Sequence, residues 1–399
     1  MTKLLDLKNN SVIAINQNNY TKEDNYKKVC YLDTDNITNN RINAFLKIDL
    51  TKEKLPSRAK RKCYLNSIIY SSVRPNQRHF GIIKEIPKNF LVSTAFIVID
   101  IIDLEKLNPN YLYYYITQDK ITHYLQRIAE CGTSSYPSIT PLDFLNIKIK
   151  LYPLETQQKI ARTLSILDQK IENNHKINEL LHKILELLYE QYFVRFDFLD
   201  ENNKPYQTSG GKMKFSKELN RLIPSGWSVR FLNHKIVSTY QPKTISKTLL
   251  NDSYSYSVYG GGGIIGRFTE YNHEQSEFII SCRGQCGISY LTLPKSWITG
   301  NAMVIRPTKS YTSKTYLYHT IKKYKLTNYI TGSVQPQITR QNLSTMPILI
   351  PKRKTLNKWN NISSLLWNLI HNNMQSTQTL TALRDFLLPL LLKQQVKPE

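Results

Sequence analysis

Acidic residues are scarce in this chain. It has 30 Asp and Glu against 54 Lys and Arg among 399 residues, a net charge of +24. A surplus of that size excludes most basic targets and favours a polyanion as partner. Long apolar runs are missing too. None reaches the roughly 18 residues of a membrane span, and the opening MTKLLDLKNN has no apolar core like that of a signal peptide. The expected setting is therefore cytoplasmic, with no membrane contact. Cysteines number five, at Cys30, Cys63, Cys131, Cys282 and Cys286. An odd, scattered set is no disulfide framework. Cys282 and Cys286 form one C-x3-C pair, but no second Cys/His pair completes the four ligands of a structural zinc. No metal is expected.

Catalytic signatures are also missing. There is no Pro-Pro dipeptide, so the Asp/Asn-Pro-Pro-aromatic motif of a methyltransferase cannot be present. The run from Gly260 to Gly263, continuing Ile264-Ile265-Gly266, resembles a phosphate loop, but Arg267 and Phe268 follow instead of Gly-Lys-Ser/Thr. Such a run reads first as a turn between strands, and otherwise as a place where backbone approaches DNA closely. The eight histidines show no metal-ligand spacing. No catalytic residue is expected.

What the chain does contain is 41% hydrophobic residues, enough for packed cores, and 26 tyrosines interleaved with the basic residues. It also repeats itself. Ile171-Glu172-Asn173-Asn174 is echoed by Ile370-His371-Asn372-Asn373, and Pro137-Ser138-Ile139-Thr140 by Pro336-Gln337-Ile338-Thr339. After each Pro-x-Ile-Thr comes an alternating strand pattern, Ile147, Ile149 and Leu151, then Met346, Ile348 and Ile350, ending at Pro153 or Pro351. A weaker echo pairs Tyr111-Leu112-Tyr113 with Tyr316-Leu317-Tyr318. A doubled protein suits a two-part DNA site.

Each half reads as a mixed domain followed by a long helix. In the first helix the apolar seam runs Ile160, Leu164, Leu167, Ile171, Leu181, Leu185, Leu188 and Tyr192, with Asn174 and Asn178 in its polar gaps. In the second it runs Ile362, Leu366, Leu369, Asn373, Ser376, Leu380, Leu383 and Leu387. A sustained 3.5-residue repeat predicts a coiled coil. The second helix is expected to end or bend near Pro389. If the helices pair antiparallel, Asn174 and Asn373 meet near the middle and hold the register, because a slip would bury an unpaired amide. The polar, glycine-containing stretch 199–223 reads as a linker. The expected organisation is a first domain over 1–153, a helix over 154–198, the linker, a second domain over 224–351 and a helix over 352–399. The fold class is α+β, with two pseudo-symmetric mixed domains joined by two long antiparallel helices.

Several strings are more specific than this pattern: PLETQQKIA at 153–161, LDQKIENN at 167–174, YFVRFDF at 192–198, SGGKM at 209–213 and IPSGW at 223–227. Others are SSVRPN at 71–76, VYG at 258–260, GIIG at 263–266, GSVQPQIT at 332–339 and LRDFLLPLL at 383–391. In this order they resemble the specificity subunits of type I restriction-modification systems. The resemblance implies two target-recognition domains, each reading half of a split double-stranded DNA site. It implies two copies of a modification subunit carrying S-adenosylmethionine, and restriction/translocase subunits using ATP and Mg, with no cofactor in this chain. The second domain opens on Pro-x-Gly-Trp and the first begins at Met1 with no equivalent, so the expectation is either that the first domain lacks its opening element or that the chain starts late. Alternatives are the specificity subunit of a related bifunctional restriction enzyme, a fused DNA-modifying enzyme, and a coiled-coil scaffold with no DNA role.

Candidate DNA contacts follow from residue chemistry. Arg reads guanine, Gln reads adenine, and Ser or backbone amides hold phosphates. In the first domain they are Arg74, Asn76, Arg78 and His79 around Pro75, and Ser134, Ser135 and Tyr136 in the loop before the last strand. In the second they are Tyr259, Gly260, Arg267, Arg283, Gln285, Gln335 and Gln337.

Overall fold

The computed structural model describes residues 1–132, 136–251 and 254–397. The chain divides into two compact units. One holds 1–172 together with the chain from Thr377 onward, and the other holds Asn173–Ser376. The division passes through both long helices, so each unit contains one mixed domain and a segment of each helix.

The two domains share one topology. In the first, a four-stranded sheet has the order Ile13–Ile15, Phe96–Ile101, Ile68–Ser71, Phe80–Ile82. In the second the order is Val237–Tyr240, Ala302–Pro307, Phe278–Ser281, Ser289–Leu291, the same sequence of chain positions. Each domain adds a second sheet containing one parallel pair, Lys28–Leu32 with Phe90–Ser93, and Tyr256–Gly260 with Trp297–Ile298. A short helix follows each sheet. Pro109–Ile116 is capped by the Asn108 side chain and opened by a proline, and Lys314–Lys322 is capped by Ser313. The expected last strands form as Lys148–Ile149 and Pro347–Ile350. Lys148–Ile149 pairs with Thr2–Lys3, and Pro347–Ile350 with Ser228–Phe231. The first domain therefore does carry a counterpart of the strand that follows Trp227, only two residues long.

The first long helix runs Leu154–Tyr189 and continues as a π turn over Glu190–Val194. Its start is pinned by Gln157, buried and fully bonded. The Gln157 carbonyl oxygen accepts from the Asn108 N–H at 2.9 Å, and its amide donates to the carbonyls of Lys106 and Tyr152. The second helix runs Arg353–Leu392, three residues past Pro389, rather than stopping at it. So close to the helix end, the proline removes a single ladder bond. In the second unit Asn174 lies against Asn373, and Asn178 against Ile370, so the helices are antiparallel there.

The seam of the first helix is the expected one, but that of the second is rotated. Leu366, Asn373, Leu380 and Leu387 are sheltered, while Ile362, Leu369, Ser376 and Leu383 are exposed. Their places are taken by Ser363, Ile370, Thr377 and Arg384, each one residue further on. Apolarity alone points to the wrong stripe because the true one contains polar residues with partners: Ser363 shares a hydrogen bond with Thr315 at 2.8 Å, and Arg384 an ion pair with Asp168. The stretch 199–223 is also more than a linker. Tyr206 stacks on Phe198, Phe198 on Trp227, and Met213–Ser216 pairs with Arg221–Pro224. Among the described residues no helix is long and apolar enough to cross a membrane.

In the second unit the helix pair and the second domain share an aromatic core. His319 packs against Tyr189, Trp359 and Trp367, and His371 and His182 also pack on Trp367. Burial holds the His319 imidazole down to about 3 and that of His371 to about 4, with Lys322 and Lys314 respectively adding to the shift, and His182 is lowered in the same way. These rings are neutral in the fold and protonate freely once unfolded. Their contribution is therefore complete above about pH 6.5 and is lost as pH falls toward the folded values, at about 1.4 kcal/mol per pH unit each for His319 and His371. Denaturant melts between pH 7.5 and 4.5 should show this slope, and His319→Phe should reduce it. A variant that keeps the full slope would remove His319 from the account.

Candidate DNA interface

In each domain a hairpin turn is stitched to the Pro-x-Ile-Thr loop. In the first domain the turn joins Ile68–Ser71 to Phe80–Ile82. Ser72 donates to the Ala95 carbonyl at 2.8 Å and accepts from the Ile139 N–H at 2.8 Å, while Val73 bridges Ser138. In the second domain the turn joins Phe278–Ser281 to Ser289–Leu291. Cys282 donates to the Asn301 carbonyl at 2.9 Å and accepts from the Ile338 N–H at 3.0 Å, while Arg283 bridges Gln337. A serine closes each turn: the Ser71 hydroxyl bonds the Val73 carbonyl and the Ser281 hydroxyl the Gln285 carbonyl. A threonine then caps the short helix after each loop, Thr140 over Asp143 and Thr339 over Asn342. The backbone frame is the same twice, and the side chains it presents differ.

Four of the expected second-domain residues are brought together here. Arg283, Gln285, Gln335 and Gln337 are all exposed on the turn and the loop, next to Val334, which is 90% exposed. Their side-chain polar groups make no hydrogen bond or ion pair among the described residues, so their hydrogen-bonding capacity faces solvent. The turn itself is rigidly built. Gly284 takes φ +73°, and a Cβ on Gly261 would sit 2.8 Å from the Arg283 carbonyl, so only glycine allows the two loops to close up. The thiols of the C-x3-C pair serve the same frame. Cys282 donates to the Asn301 carbonyl at 3.3 Å and Cys286 to the Pro336 carbonyl at 3.2 Å, and burial pushes both up from the usual thiol range. Among the described residues there is no cluster of three or more metal-ligating side chains.

The other three second-domain candidates are engaged within the domain itself. Tyr259 is 3% exposed and its hydroxyl accepts the Leu293 N–H at 3.0 Å, which makes it a core residue. Gly260 is buried in a strand, where a Cβ would meet Ile265 at 3.0 Å; its smallness serves internal packing. Arg267 spends its guanidinium on the carbonyls of Tyr254 and Ser255.

In the first domain Arg74, Asn76, Arg78 and His79 share one turn. Arg74 is exposed and lies over the ring of Tyr136, which is 62% exposed, with 5.4 Å to the centroid. Arg78 pairs with Asp119 at 2.8 Å, and the Asn76 N–H donates to Gln126 at 3.1 Å, so the turn rests on the helix Asp119–Glu130. Ser134 and Ser135 lie outside the described residues. The sequence reading missed the loop 34–43. Asn39 and Asn40, both at positive φ, donate from their backbone to the Arg78 and Phe80 carbonyls, and His79 bonds the Thr34 carbonyl. The available signal was its run of turn-forming asparagines.

On the helices of the second unit the Asn174 amide reaches the Asn373 carbonyl at 3.5 Å, and the Asn373 amide donates to Asn178 Oδ1 at 2.9 Å. The two expected residues are neighbours, but the side-chain pair is Asn373 with Asn178.

A duplicated mixed domain, with a repeated turn-and-loop frame carrying different exposed polar residues and a long helix after each copy, defines a class of two-headed recognition proteins. A family profile described as the type I restriction modification DNA specificity domain matches residues 6–183 and 224–383. The chain belongs to the specificity subunits of type I restriction-modification systems. It is 23% identical to the type I restriction enzyme HindI specificity subunit of Haemophilus influenzae, over 93% of this chain and 95% of that one. It is 24% identical to the MjaIX specificity subunit of Methanocaldococcus jannaschii, over 75% and 72%. Among solved structures it is similar in fold to the type I S subunit from M. genitalium, with a TM-score of 0.57 at 15% identity over 98% of this chain and 95% of that one.

Proposed function

We propose that this chain reads a bipartite double-stranded DNA site, one half per domain, and has no catalytic residue of its own. The observation that carries this reading is the repeated frame with unlike side chains: Val73 beside Ser138 in one domain, Arg283 beside Gln337 in the other. One scaffold presenting two chemistries reads two sequences. The net charge of +24 supplies the phosphate attraction. In this reading two modification subunits bring S-adenosylmethionine, and restriction/translocase subunits bring ATP and Mg, all in the cytoplasm. The helices offer those partners an apolar surface outside their own seam: Ile177, Leu180, Ile184 and Leu187 on the first and Ile362, Leu365 and Leu369 on the second are all exposed. Asn174, Asn178 and Asn373 hold the register of the pair, since any slip strands an amide.

The test is domain replacement. Exchanging residues 1–153 for the first domain of another family member, in the assembled methyltransferase, should change one half of the methylated site and leave the other intact. If both halves changed together, or neither did, the two-reader account would be wrong. Methyl transfer by the purified chain alone would overturn the non-catalytic assignment.

A further inference from the structure

In the first unit, near the end of the second long helix, Arg384 Nη1 donates to Asp168 Oδ1 at 2.8 Å, and the Tyr114 hydroxyl donates to Asp168 Oδ2 at 2.6 Å. Arg384 also holds Asp385 at 2.8 Å. The Asp168 and Arg384 side chains are each only 21% exposed. Three elements meet at this polar joint: the short helix Pro109–Ile116 and the two long helices.

The internal repeat places three residues of the second unit at the same positions. Tyr111 matches Tyr316, so Tyr114 matches His319. Asn174 matches Asn373, so Asp168 matches Trp367 and Leu185 matches Arg384. Trp367 and Leu185 are buried in one core cluster, and the buried His319 packs on Trp367 with 6.4 Å between ring centroids. The same joint is thus built twice, once as a hydrogen-bonded ion pair and once from apolar and aromatic groups.

We propose that this difference is a pairing code: it makes each half of the chain accept the other half and reject a second copy of itself. The physical argument is one of mismatch. If two second halves paired, Arg384 would enter the socket of Trp367 and His319 and lose its carboxylate. If two first halves paired, Asp168 would face Leu185 with no cation. The first wrong pairing leaves Arg384 with only Asp385, its neighbour on the same helix, and the second leaves Asp168 without a cation; sheltering a charge away from its partner is strongly unfavourable. The matched pairing satisfies both joints. The inference rests on packing within each unit and does not depend on which DNA is read.

Full-length chains test it. Asp168→Arg alone and Arg384→Asp alone each place like charges in the first joint. Refolded together, they can exchange halves into a 1:1 dimer in which one joint is Arg against Asp and the other is the native Asp168 with Arg384. Sedimentation and native mass spectrometry should show that mixed dimer at least about tenfold enriched over any dimer formed by either variant alone. The double variant Asp168→Arg/Arg384→Asp restores opposite charges across the joint within one chain and should show no such dimer enrichment. If either single variant fails to fold by itself, recovery of folded protein only on mixing is the same positive result. A mixture that behaves as the sum of its two components, in mass and in folded yield, overturns the code.

Discussion

Arg283→Ala is expected to weaken binding to the recognised site about 10- to 100-fold, about 1–3 kcal/mol, and to relax one base pair in one half-site only. The expectation follows from where the guanidinium stands. The Arg283 backbone is pinned by its bridge to Gln337 and by the close approach of Gly261, while its side chain is exposed with no hydrogen bond or ion pair among the described residues. A planar fork held on a rigid turn but left unpaired is suited to the two acceptors of guanine in the major groove. Arg267 is the internal control. It has the same charge, but its guanidinium is held by the Tyr254 and Ser255 carbonyls, so Arg267→Ala should leave the recognised sequence unchanged. Mapping the methylated sites with the assembled complex distinguishes the two variants. An unchanged motif for Arg283→Ala would remove this turn from base reading.

The sequence shows the architecture better than the interface, for a physical reason. Strand alternation, helix seams and the Pro-x-Ile-Thr echo come from periodic burial, so the doubling was visible at one constant offset. The hairpin turns break that offset, because insertions in loops shift the numbering without disturbing the sheet. Ser71 and Ser281 do the same work, yet no constant spacing relates them to the rest of the repeat. Tyr259 was misread for a related reason. A tyrosine near glycines looks like a surface reader until a partner for its hydroxyl, here the Leu293 N–H, is found inside. The rotated seam of the second helix has a different cause. Ser363 and Arg384 are polar by type and sheltered in place, and the partners that make this tolerable, Thr315 and Asp168, lie far away in the chain.

The largest stability effect is expected at Trp359. It is 1% exposed and stands among four rings, with centroid separations of 5.9 Å to Tyr189, 6.4 Å to Tyr192, 5.5 Å to Phe193 and 5.3 Å to His319. Three of these rings come from the end of the first long helix and one from the short helix of the second domain. Trp359 therefore fills the space where both long helices meet that domain. Trp359→Ala should destabilise the protein by about 3–5 kcal/mol, since neighbours anchored on two separate elements cannot collapse into the void. For a unit of this size that lowers Tm by roughly 10 °C. Trp359→Phe separates shape from hydrogen bonding. The Trp359 Nε1–H has no hydrogen-bond partner among the described residues, so phenylalanine gives up ring area and no bond. It should recover more than half of the loss. A Trp359→Ala protein melting within about 2 °C of the parent, a shift of less than about 1 kcal/mol, would show that the helix pair does not depend on this cluster for its hold on the second domain.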